Sequence, residues 1–118
     1  MVVFKQFTFD SAHFLPNVPK EHKCREIHGH TYRLVVFIEG SLDKEKAWVM
    51  DFAEIKKAIN PVINKIDHQL MNNIKGLENP TCEAIAVWLW NNIKPAIPAL
   101  KKIELHETPT SGAVYGGE

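Results

Sequence analysis

Residues 28–38 read HGHTYRLVVFI, and their alternation constrains the chain more than any other stretch. Side chains along a strand point alternately to its two faces. The even positions are His28, His30, Tyr32, Leu34, Val36 and Ile38, so two histidines share a face with an apolar series. That face is the one a sheet buries, although Val35 and Phe37 make the reverse side partly apolar too. Residues 2–9 (VVFKQFTF) read as a second strand, rich in aromatic and β-branched residues, with Phe7 and Phe9 on one face. Their parity continues to His13. If the two strands pair antiparallel, the end of the first meets the start of the second, and His13 falls beside His28 and His30.

The remaining elements follow from periodicity. The segment 14–27 (FLPNVPKEHKCREI) carries two prolines and mixed charges and reads as an irregular loop. A turn near Glu39-Gly40 and a short strand around Ala47–Met50 would complete a hairpin. Asp51 is a helix N-cap with Glu54 placed for a capping box, followed by the stripe Phe52, Ile55, Ile59, Val62 and Ile66. Pro61 falls inside that stripe, where a kink or break is expected. After the loop GLENPT (76–81), a second helix opens at Asn79-Pro80 or Thr81 and runs to about Asn92, stopped by Pro95 and Pro98. Residues 101–108 alternate again, and GAVYGG (112–117) is a last strand after a turn at Pro109–Gly112. The order ββααββ gives an α+β sandwich with the helices on one face.

At 118 residues the chain makes one domain, 1–118. Lys+Arg is 14 and Asp+Glu is 14, so the net charge is zero and there is no basic excess to suggest nucleic acid. The longest apolar run, Ala84 to Trp90, is far short of the ~20 residues of a membrane span. The first residues do not resemble a secretory signal. Cys24 and Cys82 are too few for a disulfide framework, so a reducing cytoplasm is expected.

Chemistry concentrates near the histidines. His28 and His30 lie ~6.5–7 Å apart along a strand, close enough for their rings to converge on one ion. Histidine is the commonest metal ligand. Three histidines, His13 included, with no evident fourth protein ligand match a catalytic zinc with an open position. The alternative is three ordinary core or surface histidines. Cys24 follows Lys20 and Lys23 and precedes Arg25, and nearby positive charge favours a thiolate base or nucleophile. A buried inert thiol and a fourth zinc ligand are the competing readings. The same three cations could instead receive a phosphate group, or simply be solvated. Cys82 reads as packing, and His22 and His106 as surface residues. Asp67-His68 could form a carboxylate-oriented proton relay or a helix-end charge pair. Glu107 sits at the end of the apolar series Ile103, Leu105, where an unpaired carboxylate is costly. It either meets a two-donor heterocycle edge or reaches solvent at the strand end.

Taken together, SAH (11–13), Cys24 followed by HGH (28–30), MDF (50–52), DH (67–68), ENPTCE (78–83) and HET (106–108) resemble the 6-pyruvoyltetrahydropterin synthase / 6-carboxytetrahydropterin synthase family. The likeness covers nearly the whole chain. The three residues between Cys24 and His28, with PNVPKEHKC and IDHQLMN, resemble its 6-carboxytetrahydropterin synthase branch, that of queuosine biosynthesis. Arg25-Glu26-Ile27 stands where Gly-Arg-Leu is often found. The resemblance implies a tunnelling fold, with two helices on a four-stranded antiparallel sheet. It also implies homo-oligomers, trimers or dimers of trimers, with the active site between subunits. Carried over residue by residue, it implies zinc on His13, His28 and His30, Cys24 as the base, Asp67 and His68 as the relay, and Glu107 as the pterin anchor. Thr81 and Thr108 would lie near the pterin. The implied reaction converts 7,8-dihydroneopterin triphosphate to 6-carboxytetrahydropterin, acetaldehyde and triphosphate. The same site making the 6-pyruvoyl product and a non-catalytic zinc module are the alternatives.

Overall fold

In the computed structural model, which describes residues 1–118, the two alternating segments pair along their whole length. Strands β1 (Val2–His13) and β2 (His28–Glu39) are antiparallel from Val2↔Glu39 to His13↔His28. β3 (Leu100–Thr108) joins the other side of β2, and β4 (Ser111–Tyr115) joins β3, giving one antiparallel sheet of order β1-β2-β3-β4. Helices α1 (Phe52–Ile63) and α2 (Cys82–Ile93) come between β2 and β3 in the chain. The fold is α+β with the expected order ββααββ. No helix is long and apolar enough to cross a membrane.

The core lies between sheet and helices. Phe9, Tyr32, Leu34, Val36, Ile38, Ile103 and Leu105 from the strands meet Ile55, Ile59, Ile85, Leu89 and Ile93 from the helices in one cluster. Asp51 caps α1 by accepting the Ala53 N–H at 2.9 Å. Thr81 caps α2 in the same manner through Ala84. These caps satisfy donors that the first helical turn leaves unpaired.

Several local expectations are corrected. Residues 47–50 form no strand, because Asp43 gathers that segment into a turn. Its carboxylate accepts the Glu45 and Lys46 N–H groups, and its carbonyl accepts that of Ala47, which takes a positive φ of 60°. The backbone groups a hairpin would use are thereby occupied. Phe52 is exposed, so the buried stripe of α1 starts at Ile55. Glu54 sits in the first turn without closing a capping box. Pro61 neither ends nor splits α1, which runs on to Ile63. It lies in the last turn, where the missing N–H forfeits a single helical bond.

One feature of the ladder positions the site. Pairing of β2 with β3 stops at Arg33↔His106. Beyond it, residues 28–32 have β1 on one side and no strand on the other, leaving a cleft beside the β3–β4 turn. Ile59 is fully buried at the helix–sheet interface. Ile59→Ala should destabilise the protein by about 2–5 kcal/mol, the range for truncating a buried branched side chain. Urea unfolding at fixed protein concentration measures it.

Candidate functional site

The pairing His13↔His28, with Ser11↔His30 two residues along, brings three imidazoles together on the helix-facing side of the sheet. Their ring centroids lie 4.5, 5.2 and 4.9 Å apart. One ligand nitrogen from each falls within 4.8 Å of the others. Backbone carbonyls fix two of the tautomers. His13 Nδ1 lies 2.8 Å from the Pro80 carbonyl oxygen, and His28 Nδ1 lies 2.8 Å from that of Glu26. A carbonyl only accepts, so each Nδ1 carries the proton and each Nε2 presents its lone pair.

His13 is 1% exposed, and its Nε2 is buried with no hydrogen-bond partner. Glu107 Oε1 approaches this nitrogen at 3.5 Å and His30 Nε2 at 3.8 Å, too far for hydrogen bonds. Burial is the largest influence on both rings and pulls their pKa values below the usual imidazole value. The Pro80 hydrogen bond opposes this at His13, and the Glu107 charge opposes it at His30. Both rings are therefore neutral near pH 7, the form that ligates metals. Buried lone pairs facing a carboxylate leave a position that a cation satisfies. Three imidazole nitrogens suit zinc, copper, iron or nickel.

Cys24 sits on a short turn (Lys23–Arg25) within the β1–β2 connection, where His22 Nδ1 accepts its N–H at 3.0 Å. Exposed His22 is thus a cap as well as a surface residue. The Cys24 sulfur does not join the three-imidazole group, so a closed four-ligand site is not formed. Cys24 is a half-buried free thiol and lines a cavity of about 380 Å³ with Lys23, His28, His30, Glu107 and Thr108. Of the three loop cations, Arg25 donates to the Val18 carbonyl at 2.8 Å, and exposed Lys20 lines no cavity. Only Lys23 faces the site.

Asp67 and His68 lie on the turn that follows α1. His68 adopts a left-handed φ of 57°, an uncommon conformation for a residue with a Cβ. β1 holds it there: the Asp10 carbonyl accepts the His68 N–H at 2.6 Å, and Ser11 Oγ bonds the carbonyls of Ile66 and Gln69. Asp67 Oδ2 meets His68 Nδ1 at 3.0 Å. The Asp10 N–H, then His68, hold the Asp67 carboxyl below the usual range. His68 lines a different cavity from Cys24, about 470 Å³, with Asp10, Ser11 and His30. Within one chain the two share only His30 as a common wall.

Glu107, placed by the strand pattern on the apolar face, and Thr108 both line the Cys24 cavity. Thr81 lines no cavity and its hydroxyl serves as the α2 cap, though its neighbour Pro80 holds His13. Tyr32 is a residue that sequence reasoning missed as a site residue. It is fully buried against His13 and His30, and its hydroxyl has no partner. The parity of His28, His30 and Tyr32 was the available signal. Burial, then the Glu107 charge, push its phenol well above the ordinary value. Burial first, then Glu107, push the Cys82 thiol up to about 11.

Over residues 2–118 the chain matches the family described as 6-pyruvoyl tetrahydropterin synthase. The protein belongs to this family. It is 40% identical to a 6-carboxy-5,6,7,8-tetrahydropterin synthase of Synechocystis sp., over 97% of this chain and 92% of that one. It is 38% identical to the dihydroneopterin monophosphate aldolase of Pyrococcus furiosus, over 85% and 83% of the two chains. The structure of Caenorhabditis elegans 6-pyruvoyl tetrahydropterin synthase superposes with a TM-score of 0.93, covering 100% of this chain and 96% of that one at 24% identity. The tunnelling fold and the pterin synthase family are thereby established.

The two thiols should separate chemically. At pH 8 only about one Cys82 in a thousand is ionised, and Cys24 lines an open cavity. Iodoacetamide should alkylate Cys24 and spare Cys82, as peptide mass mapping would report. Equal labelling of both would contradict the burial of Cys82.

Proposed function

We propose that the protein converts 7,8-dihydroneopterin triphosphate and one water to 6-carboxy-5,6,7,8-tetrahydropterin, acetaldehyde and triphosphate, a carbon–carbon lyase step of queuosine biosynthesis. The observation that carries this is one cavity walled by a half-buried thiol, two imidazoles and a carboxylate at a strand end. The likeness to the Synechocystis synthase adds to it.

His13, His28 and His30 would hold zinc, and the unpartnered Nε2 of His13 fits that assignment. Bound there, zinc would supply Lewis acidity toward the hydroxyls of the substrate side chain. The chain's own groups have separable tasks. Glu107 would accept the 2-amino and ring N–H donors of the pterin, a charge-assisted pair that fixes the ring. Thr108 lies on the same wall, and Thr81 would act at a remove, by fixing the turn that carries Pro80. Cys24 would take a proton from the side-chain carbon. His68, oriented by Asp67, would move a second proton as triphosphate leaves, the ring tautomerises and the side chain is cleaved.

Cys24 and His68 line different cavities in one chain, which favours a site completed between subunits. β1 and β4 each have a free edge, which suits association into a trimer or a dimer of trimers. Two free thiols suit the cytoplasm.

The Pyrococcus relative favours a second reading, aldol-type cleavage of a pterin monophosphate. Family membership also leaves 6-pyruvoyl formation, in which the side chain is kept. Mass spectrometry of products from dihydroneopterin triphosphate separates the three. Acetaldehyde with 6-carboxytetrahydropterin is the expected result. Cys24→Ala should keep its metal and react at least ~10²-fold more slowly, the loss typical of a missing general base. Wild-type turnover in that variant overturns the assignment, and loss of metal points to a structural cysteine. Metal analysis should find one zinc per chain, lost from the double variant His28→Ala, His30→Ala. Zinc retained by the double variant would place the site elsewhere.

A further inference from the structure

The largest cavity, about 700 Å³, is not the one that holds Cys24. It opens where β3 leaves β2, and it runs from His30 and Glu107 across Gly29 and Thr31 to Arg33, His106 and Thr8. Thr8, Arg33 and His106 form one cross-strand row on the face opposite the helices, the last complete rung before the cleft.

Arg33 is the unusual member of that row. It is half-buried, yet no carboxylate lies within ion-pair distance of it. Its guanidinium makes a single contact, Nη1 to Gln6 Oε1 at 3.5 Å, too long for a good hydrogen bond. A guanidinium has five N–H donors in a planar fork, so nearly all of its capacity faces the cavity unspent. The nearby acids do not compete for it. Glu104 is taken up by His106 at 3.1 Å and Lys102 at 3.8 Å, and Glu107 points to the imidazole cluster. Thr108 adds a hydroxyl whose oxygen accepts the Thr110 N–H at 3.3 Å and lies 3.5 Å from the Thr110 hydroxyl, a long contact that a stronger acceptor can displace.

We infer that Arg33, assisted by the hydroxyls of Thr8 and Thr108, receives the phosphate tail of the substrate on the face of the sheet away from the helices. This rests on the pterin-triphosphate reading and adds the phosphate subsite. His30 and Arg33 are three residues apart, about 10 Å along a strand. That distance matches a polyphosphate hanging from a three-carbon side chain whose hydroxyls lie at the imidazoles. The pterin ring occupies the Cys24 and Glu107 cavity, and the tail passes through the gap that the end of the β2–β3 ladder leaves. The loop cations around Cys24 are not the main anion site.

Steady-state kinetics and calorimetry on the zinc-loaded, assembled enzyme test this. In Arg33→Gln the KM for dihydroneopterin triphosphate should rise about 10-fold or more, as expected for a lost charge-assisted contact. Zinc content and the affinity for dihydroneopterin without phosphate should not change. Inorganic triphosphate should compete with substrate in the wild type and lose affinity by a similar factor in the variant. Arg33→Lys, which keeps the charge but not the fork, should fall between the two. Unchanged KM and unchanged triphosphate affinity in both variants would overturn the subsite, while continued turnover would leave the reaction standing. A wild type that binds inorganic triphosphate through Arg33 but turns over no pterin triphosphate would uphold the anion site and sink the proposed reaction.

Discussion

The site depends on the in-register pairing of β1 with β2. Because His13 lies directly across from His28, and Ser11 from His30, the strand pairing brings the three imidazoles together, and the loop carbonyls of Pro80 and Glu26 then set two of the rings. A shift by one residue would turn His13 to the opposite face and send Phe9 into solvent. Burial of Phe9 against Tyr32, stacked at 5.0 Å, and the apolar series that follows it therefore hold the register of the three imidazoles. Folding energy and ligand geometry come from the same strand parity.

That coupling explains what was legible in the sequence. Parity, given antiparallel pairing, placed His13 beside His28 and His30 and put Glu107 on the apolar side of its strand, while helical periodicity completed the order of elements. The Asp51 and Thr81 caps follow from local side-chain chemistry, and so they too could be read. What periodicity does not carry is contact through backbone carbonyls between distant segments. The Pro80 oxygen that sets the His13 tautomer, and the Asp10 oxygen that holds His68, come from residues whose side-chain types say nothing about them. The Ala47–Met50 segment fails for a related reason. Asp43 satisfies its neighbours' N–H groups locally, and short-range side-chain bonds of this sort compete with a strand ladder. The unpaired hydroxyl of Tyr32 and the unspent fork of Arg33 are also invisible from composition, since each is defined by partners that are missing.

The Asp67–His68 turn shows a different economy of support. A left-handed residue with a side chain is strained and persists only where its surroundings over-determine it. Here β1 supplies that restraint through three consecutive residues: Asp10 at the His68 amide, Ser11 at two carbonyls, and Ala12 at Gln69. The strand that ends in His13 thus also presents the imidazole of His68 at a fixed angle. Motion of β1 against α1 would disturb both groups together.

His13 occupies the seam between the two layers of the molecule. One ring nitrogen is tied to the turn that opens α2, and the other faces the imidazole cluster on the sheet. The ring acts as a rigid strut, since a tilt of the helix start must rotate the lone pair that faces the cluster. Substitutions near Asn79 and Pro80 would therefore retune ligand affinity while touching no ligand. Related chains could diverge in the geometry of this cluster through the packing of α2, with every histidine left in place.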